Sequence, residues 1–223
     1  MGRLFAAEFI SVLSVATVME IRTFDRRLNE TEAVKRTRNL SAVRYLRYLL
    51  AETFGRGGGT PDPTVHLVYY PDYILYSSVV YRRLRASESL HFLAGVDAIS
   101  GNVGEVDVEL PNSHVQDVDQ SVVIEPQLTE SEAEEKWNGW IFEYMSRKYR
   151  AMELQEYGLD DIELVYTPYW ILDNGSIEES LAVSDLTRRT AKVEEIQVIE
   201  EFYENRLSSG DRDSPSRRSA ANM

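Results

Sequence analysis

Most apolar residues of this chain fall in short stretches rich in β-branched and aromatic side chains, separated by polar or glycine-containing segments. This pattern is typical of β-strands joined by turns. Strands are predicted at residues 65–81, 90–96, 103–110, 162–172, 177–183 and 190–193, with tight turns at 97–101, 173–175 and 185–189. Residues 111–127 are polar and are predicted to be irregular. The chain is therefore expected to contain an antiparallel sheet built from hairpins.

Apolar residues spaced three and four positions apart predict helices elsewhere in the chain. Residues 1–54 are expected to be helical, although their β-branched content is also compatible with a strand in places. The strongest helix signal begins at Thr129, which forms a capping box with Glu132, and it is expected to continue to Gly158. A final helix is expected at residues 196–203.

Two of the predicted strands resemble each other. Residues 67–75 and 164–172 are identical at six of nine aligned positions. Because alternate residues of a strand share a face, one face of each segment carries leucine, tyrosine, proline, an aromatic residue and leucine in the same order. Pro71 and Pro168 have no N–H to give to a sheet, so they are expected at an edge, a strand start or a bulge. A turn, a second strand and a helix follow each copy, which predicts an internal duplication.

The predicted fold class is α+β, with two pseudo-symmetric strand–turn–strand–helix modules, an antiparallel sheet packed by helices, preceded by an N-terminal helical arm. The expected organisation is a basic helical arm (residues 1–54), a Gly/Pro linker (55–63), a first α+β module (64–158), a second α+β module (159–207) and a disordered tail (208–223). The motif Val-Asp-Ala-x-Ser-Gly at residues 96–101 resembles the hairpins of small α+β modules such as PepSY-type domains. That resemblance implies a hairpin at this position and no activity.

The composition indicates a salt-adapted protein. The chain carries 37 acidic and 24 basic residues, a formal charge of −13, and only four of the basic residues are lysines. In molar salt the Debye length falls to about 3 Å, so a dense layer of carboxylates costs little repulsion. Arginine pairs with carboxylates better than lysine does. A halophilic source is the favoured interpretation, and a genome that favours arginine codons is the alternative.

The charge is distributed unevenly along the chain. Residues 1–60 hold ten basic and six acidic residues, whereas the remainder holds 14 basic and 31 acidic residues. A basic arm on an acidic body can dock on a protein, bind nucleic acid or lie on an anionic membrane. The acidic body would repel a nucleic acid duplex, so a protein partner or self-association is favoured. The candidate interaction residues are Arg22, Arg26, Arg27, Arg36, Arg38, Arg44 and Arg47.

The apolar segment at residues 4–21 is interrupted by Glu8 and is short for a membrane span. A buried helix or strand is the favoured interpretation, and a signal or an anchor is the alternative. A membrane partner is therefore not expected. The chain has no cysteine, which fits a cytoplasmic protein, or a virion-associated one if the source is viral.

No catalytic residue, cofactor or metal is expected from the motifs. The glycine cluster near residue 57 lacks the Gly-Lys-Ser/Thr of a phosphate-binding loop, and the three histidines lack the close spacing of metal ligands. The aromatic residues of the repeated face form a candidate groove, although such faces usually pack under a helix. These groove residues are Tyr69, Tyr73, Tyr166 and Trp170.

The function predicted from these features is a non-enzymatic protein–protein interaction or assembly protein of a halophilic system. An accessory or structural subunit of a virion or mobile-element complex would fit this description. One alternative is a small-ligand-binding or enzymatic domain that uses a cleft between the two repeats. Another is a nucleic-acid-associated protein that acts through the basic N-terminal arm.

Overall fold

The computed structural model describes residues 17–38, 64–84, 86–174 and 177–202. These residues form a mixed α/β fold that consists mostly of strands. The strands are β1 (Val18–Phe24), β2 (Thr64–Arg83), β3 (Ala86–Asp97), β4 (Val103–Glu105), β5 (Ser113–Asp119), β6 (Glu153–Asp173), β7 (Leu181–Ser184) and β8 (Thr190–Lys192). The helices are α1 (Glu30–Arg38), α2 (Glu130–Tyr144) and α3 (Gln197–Phe202), and a π-helical turn, Met145–Tyr149, extends α2.

One open sheet contains all eight strands, in the order β4-β3-β2-β6-β1-β5, and β7 and β8 continue from part of β6. The centre of the sheet is the antiparallel pair β2 and β6, which extends from Thr64 opposite Asp173 to Arg82 opposite Glu153. β1 lies parallel to β6 on its other side, with Thr23 opposite Tyr166. Both central strands are rich in β-branched and aromatic residues, which fit a pleated surface that is covered on both faces.

Helices α1 and α2 cover one face of this sheet. Trp137 and Ile141 of α2 and Met145 of the π-helical turn are fully buried against β2 and β3, in one cluster with Tyr73, Leu75, Val79 and Val96. Leu28 and Ala33, at the start of α1, pack against Trp170, Leu172 and Val183 of β6 and β7. Burying a large apolar side chain stabilises a fold by about 1.5–3 kcal/mol. These contacts therefore fix both helices on the sheet.

Both helices begin with a capping box. Thr129 Oγ1 accepts the N–H of Glu132 at 3.3 Å, and Glu132 Oε2 accepts the N–H of Thr129 at 2.8 Å. The capping box predicted at Thr129 is therefore confirmed. Asn29 and Glu32 form the same reciprocal pair at α1, with distances of 2.9 and 3.0 Å. Each box satisfies N–H groups that have no partner within the helix.

Several sequence predictions are wrong in the described part of the chain. Val18–Phe24 is the strand β1 and not part of a helix, because it pairs with β5 and borders β6. Residues 113–119, predicted to be irregular, are β5 for the same reason. The long helix does not reach Gly158, because the chain enters β6 at Glu153 and Gly158 pairs there with Ser78.

Other predictions are confirmed or lie outside the described residues. The predicted strands at 65–81, 90–96 and 162–172 and the short helix near the C-terminus are present, with longer or shifted bounds. The predicted strand at 177–183 begins with a 3-10 turn, Ile177–Glu179, and becomes a strand at Leu181. The linker (55–63), the tail (208–223) and residues 1–16 and 39–54 of the predicted arm lie outside the described residues.

Candidate functional site

Strand β3 is paired along only part of its outer side. β4 pairs with Ala94, Gly95 and Val96, and the N–H of Val106 donates to the carbonyl of Leu93 at 2.9 Å. From Phe92 back to Ala86, no described residue pairs with the outer side of β3. We call the unpaired side of Ala86–Phe92 the open edge.

The open edge presents three pairs of backbone hydrogen-bonding groups. The carbonyl of Leu93 and the N–H of Asp97 both point towards the β4 side, where they bond to Val106 and Asn102. Since alternate residues of a strand direct their backbone groups to the same side, the N–H and C=O of three further residues point outward in the open edge. These residues are Ser87, Ser89 and His91, and all three are exposed.

The open edge is regular, whereas the outer edge of β6 is not. β2 and β3 form twelve consecutive residue pairs without a register shift. β6 has an outer edge of its own over Glu153–Asp160, because among the described strands β1 and β7 border it only from Tyr166 onward. The pairing of β2 with this part of β6 shifts twice, next to Ser77 and Tyr81. Glu153, Glu156 and Asp160 are exposed there. Bulges and charges are the usual devices that prevent an edge from pairing with another chain. β6 has both devices, and the open edge of β3 has one acidic residue, Glu88, and no bulge.

Three partly exposed aromatic rings stand beside the open edge and form what we call the aromatic wall: Phe92, Trp140 and Tyr144. Trp140 and Tyr144 of α2 are stacked, with ring centroids 4.2 Å apart. The ring of Phe92 lies 5.3 Å from Tyr144 and 6.3 Å from Trp140. Helix α2 positions these rings because Trp137 and Ile141, on its buried side, anchor it to the sheet. The wall therefore lies on the α2 side of β3, next to the open edge.

A lysine marks one end of the aromatic wall. Lys148 Nζ contacts the carboxylate of Glu105 on β4, lies 3.2 Å from Tyr144 Oη and is 5.5 Å from the ring centroids of Tyr144 and Tyr149. Burial and a hydrogen bond to Glu105 raise the pKa of Tyr144. Burial disfavours the ionised form of Glu105, but the hydrogen bonds from Lys148 and Tyr144 outweigh it and lower the pKa of that carboxyl. The ion pair ties α2 to β4 where the open edge begins.

A second polar cluster lies within the sheet. Tyr70 Oη lies 3.0 Å from both carboxylate oxygens of Asp97, and Thr167 Oγ1 donates to Asp72 Oδ2 at 2.8 Å. Burial and the neighbouring Asp97 raise the pKa of Asp72 to about 7, and the hydrogen bond from Thr167 opposes that rise. Burial also raises the pKa of Tyr169 to about 12. The hydrogen bonds of this cluster join β2 to β3 and β6.

The aromatic residues of the predicted groove are core residues. Tyr69, Tyr73, Tyr166 and Trp170 are 5%, 5%, 3% and 8% exposed, and they pack under α1, α2 and β1. The groove that they were expected to line is therefore not open to solvent, and that prediction is wrong. The edge of Trp170 alone borders a shallow depression at the start of α1, next to Arg26 and Arg27.

The predicted interaction arginines are dispersed. Arg22 lies exposed on β1, and Arg26 and Arg27 lie between β1 and α1, where Arg27 Nη2 donates to the carbonyl of Glu109 at 2.7 Å. Arg36 lies on α1 and is partly exposed. The backbone of Arg38 ends α1, whereas its side chain and residues 44 and 47 lie outside the described part of the chain. The structure therefore does not bring the described arginines together in one patch.

The sequence interpretation missed the open edge. The predicted strand began at Leu90, because the Ser-Glu-Ser sequence before it has low strand propensity. The open edge exists because β4 is much shorter than β3, and this difference is visible only in the register of the sheet, not in the sequence.

Comparison of the chain with protein-family models, with curated proteins and with solved structures finds no match. Within the described ranges, no helix has the length and apolar character needed to cross a membrane. Among the same residues, no group of three or more His, Asp or Glu side chains is arranged to hold a metal ion.

Proposed function

We propose that this chain is a non-enzymatic protein–protein interaction or assembly protein that binds its partner by strand addition at the open edge of β3. The observation that carries the proposal is the bulge-free outer side of Ala86–Phe92, which no described residue pairs with and which lies beside the aromatic wall. A regular edge of this kind is a template for another strand, and backbone hydrogen bonds then supply affinity.

The aromatic wall supports the same proposal. Partly exposed Phe, Trp and Tyr side chains are enriched in the centres of protein interfaces and contribute much of their binding energy. Phe92 and Leu90 project from β3 towards α2, in the cluster that contains Trp140 and Tyr144. An added strand would place its alternate side chains next to these rings, as peptides do in grooves between a strand edge and a helix.

A proline substitution tests this function. Ser89→Pro removes an outward N–H without removing a hydrogen bond to β2, so the fold should persist while strand addition is blocked. The matched control is Val115→Pro on β5, the outer strand at the opposite end of the sheet, where the N–H also points outward. We expect Ser89→Pro to lose the partners that co-purify with the protein from its host, whereas Val115→Pro keeps them. Retention of every partner by a folded Ser89→Pro variant would contradict the proposal.

We also propose that the fold is an internal duplication with a pseudo-twofold axis. In the alignment of residues 67–75 with 164–172, Tyr70 corresponds to Thr167, and these two residues are paired directly in the sheet. Tyr69 and Tyr166 also correspond, and each accepts one parallel neighbour, Val123 in the first case and Thr23 in the second. An antiparallel pair of equivalent strands has this symmetry when a twofold axis passes between the equivalent residues.

The starts of the helices extend this correspondence beyond the strands. Leu28-Asn-Glu-Thr-Glu-Ala33 and Leu128-Thr-Glu-Ser-Glu-Ala133 share four of six residues and form the same capping box. Each therefore places a helix before a long strand, which changes the order of the proposed repeat to helix–strand–turn–strand. In this arrangement α1 precedes β2 in sequence but packs on β6 and β7, and α2 precedes β6 but packs on β2 and β3. The two copies would thus have exchanged their helices.

The wider setting remains part of the proposal. The acidic, lysine-poor composition supports a halophilic, cytoplasmic or virion-associated protein, and a structural or accessory subunit of a larger assembly fits an edge made for strand addition.

A further inference from the structure

We propose that the partner at the open edge is a second copy of this chain, paired antiparallel and centred on Ser89, so that one sheet continues across a symmetric dimer. This inference rests on the proposed function, because it names the partner of the same edge. Symmetric dimers with a self-complementary contact are the commonest oligomers of soluble proteins.

The backbone pattern of the open edge allows this pairing. In an antiparallel pair, two residues whose N–H and C=O groups point at each other exchange two hydrogen bonds. With Ser89 opposite the same residue of the second copy, Ser87 lies opposite His91, and His91 opposite Ser87. All outward groups of these three residues then meet outward groups of the other copy. If the pairing were centred on Leu90 or Glu88 instead, fewer of these three residues would face an outward group of the other copy. The open edge ends at the turn before Ala86 on one side and at β4 on the other.

The side chains are complementary under the same symmetry. On the face towards α2, Leu90 lies opposite Glu88 and Phe92 opposite Ala86, so the large Phe92 ring meets a small residue and no two carboxylates lie directly opposite each other. Glu88 is held in place by Tyr81, whose hydroxyl donates to Oε2 at 2.7 Å. On the other face the central pair is serine with serine, and directly opposed like charges, which destabilise a sheet, are absent from the pairs in the open edge.

Charge also favours this edge as the place where two copies meet. Each chain has a formal charge of −13, so two copies repel each other wherever acidic surfaces approach. The outer edge of β6 carries three exposed carboxylates within Glu153–Asp160, whereas Ala86–Phe92 carries one. The outer strand at the other end of the sheet, β5, is also regular but carries two exposed carboxylates, Asp117 and Asp119. Of these three edges, the open edge therefore brings the fewest like charges together when identical chains meet. Because salt screens the remaining repulsion, dimerisation should strengthen as the salt concentration rises.

The test is the association state of the purified full-length chain, measured by analytical ultracentrifugation over a roughly hundredfold range of concentration. We expect a monomer–dimer equilibrium for the wild type and for Val115→Pro, and a dimerisation constant at least tenfold weaker for Ser89→Pro. A wild type that stays monomeric over the whole range overturns the inference. A dimer that Ser89→Pro does not weaken also overturns it, since the contact then lies elsewhere.

A charge pair gives a second measurement that is independent of proline. Ser89→Lys and Ser89→Glu each place like charges opposite each other in the dimer, so each alone should be largely monomeric at moderate salt. A mixture of the two should dimerise at least tenfold more tightly than either alone, because unlike charges then meet at the axis. No gain on mixing contradicts the symmetric pairing at Ser89.

These measurements separate the inference from the proposed function. If the wild type is monomeric but Ser89→Pro loses a different protein that co-purifies from the host, the edge binds a foreign strand. The second copy is then wrong as partner, and strand addition stands. If the wild type is monomeric and Ser89→Pro keeps every partner, both proposals fail.

Discussion

The pair Asp72 and Asp97 shows how a single site can set the pH dependence of the fold. These two residues lie opposite each other in β2 and β3. Asp97 accepts hydrogen bonds from the hydroxyls of Tyr70 and Ser100 and from the N–H groups of Ile99 and Ser100. Asp72 accepts one hydrogen bond, from Thr167, and is more stable protonated than it would be in water.

Asp72→Asn should remove one component of the pH dependence. The pKa of Asp72 is raised from 3.8 to about 7 in the folded chain, so the folded state holds a proton that the unfolded state loses. The wild type should therefore lose stability, on the order of a few kcal/mol, as the pH rises from about 4 to about 7. The difference in unfolding free energy between wild type and variant, from denaturant titrations, should change over that window and stay constant above it. The exposed carboxylate variant Asp117→Asn is the control, and an equal change there would refute the explanation.

The turns after β3 and β7 have the same backbone form with different residues. Asp97 and Ser184 each donate their N–H to a carbonyl five residues later, at 3.0 Å, on Asn102 and Arg189. The residue before that carbonyl has a positive φ in both turns, +72° at Gly101 and +56° at Arg188. Glycine adopts this conformation without strain, whereas other residues pay about 1–2 kcal/mol.

Exchanging these residue types should have opposite effects. Gly101→Ala should destabilise the fold by about 1 kcal/mol, because alanine is strained at this positive φ and its added Cβ would lie 3.1 Å from Lys136 Cε. Arg188→Gly should stabilise it by about 0.5 kcal/mol, since relief of the strain is partly offset by the greater freedom of glycine in the unfolded chain. Thermal unfolding measures both, and the same sign for the two changes would contradict this account.

At the scale of elements, α2 is a helix whose two ends are fixed by different devices. Its start is fixed by the capping box at Thr129, and its end is the π-helical turn that closes at Arg150, with φ +55°. The turn places Lys148 against Tyr144 and Tyr149 and thus towards Glu105. The orientation of the aromatic wall depends on both ends.

Thr129→Ala should destabilise the protein by about 1 kcal/mol, because one N–H at the helix start loses its acceptor. Asn29→Ala should cost a similar amount at α1, since its capping box has the same hydrogen bonds. The control is Ser131→Ala, an exposed position in the first turn of α2, where alanine is expected to be neutral or slightly stabilising. Chemical denaturation distinguishes them, and an equal loss at Ser131 would rule out capping as the cause.

At the scale of the whole molecule, the described chain has two halves, the first from β1 to β4 and the second from β5 to α3, and these halves depend on each other. β2 of the first half pairs with β6 of the second along nearly its whole length. Helix α2 covers β2 and β3, and α1 covers β6 and β7. The segment between β4 and β5 is the only described backbone connection between these halves.

Cutting that connection should leave the molecule assembled. A protease site inserted after Asp107, which is exposed, can be cleaved in the folded protein. The two fragments should co-elute in size-exclusion chromatography at the size of the uncut chain and separate only in denaturant. Separation of the fragments in native buffer would show that the pairing of β2 with β6 does not hold them together.

The acidic surface predicts a dependence on salt. With a formal charge of −13, the folded chain should gain unfolding free energy as salt rises towards molar concentration, because screening relieves repulsion between carboxylates. A variant with exposed Glu134, Glu135 and Asp117 changed to the matching amides should show a smaller salt effect. Full stability of the wild type in dilute buffer would argue against salt adaptation.

The sequence alone determined the features that depend on neighbouring residues. The strands around Leu67 and Leu164, the turn at residues 97–101 and the capping box at Thr129 follow from local composition and spacing, and all are present. Only the tertiary structure decided that Val18–Phe24 and Ser113–Asp119 are strands, since these segments gain their hydrogen bonds from each other and from β6. It also decided that the repeated aromatic face is buried and that Ala86–Phe92 has no described neighbour on its outer side. Those outcomes depend on which distant segments pair, and residues far apart in the chain settle them through the register of the sheet.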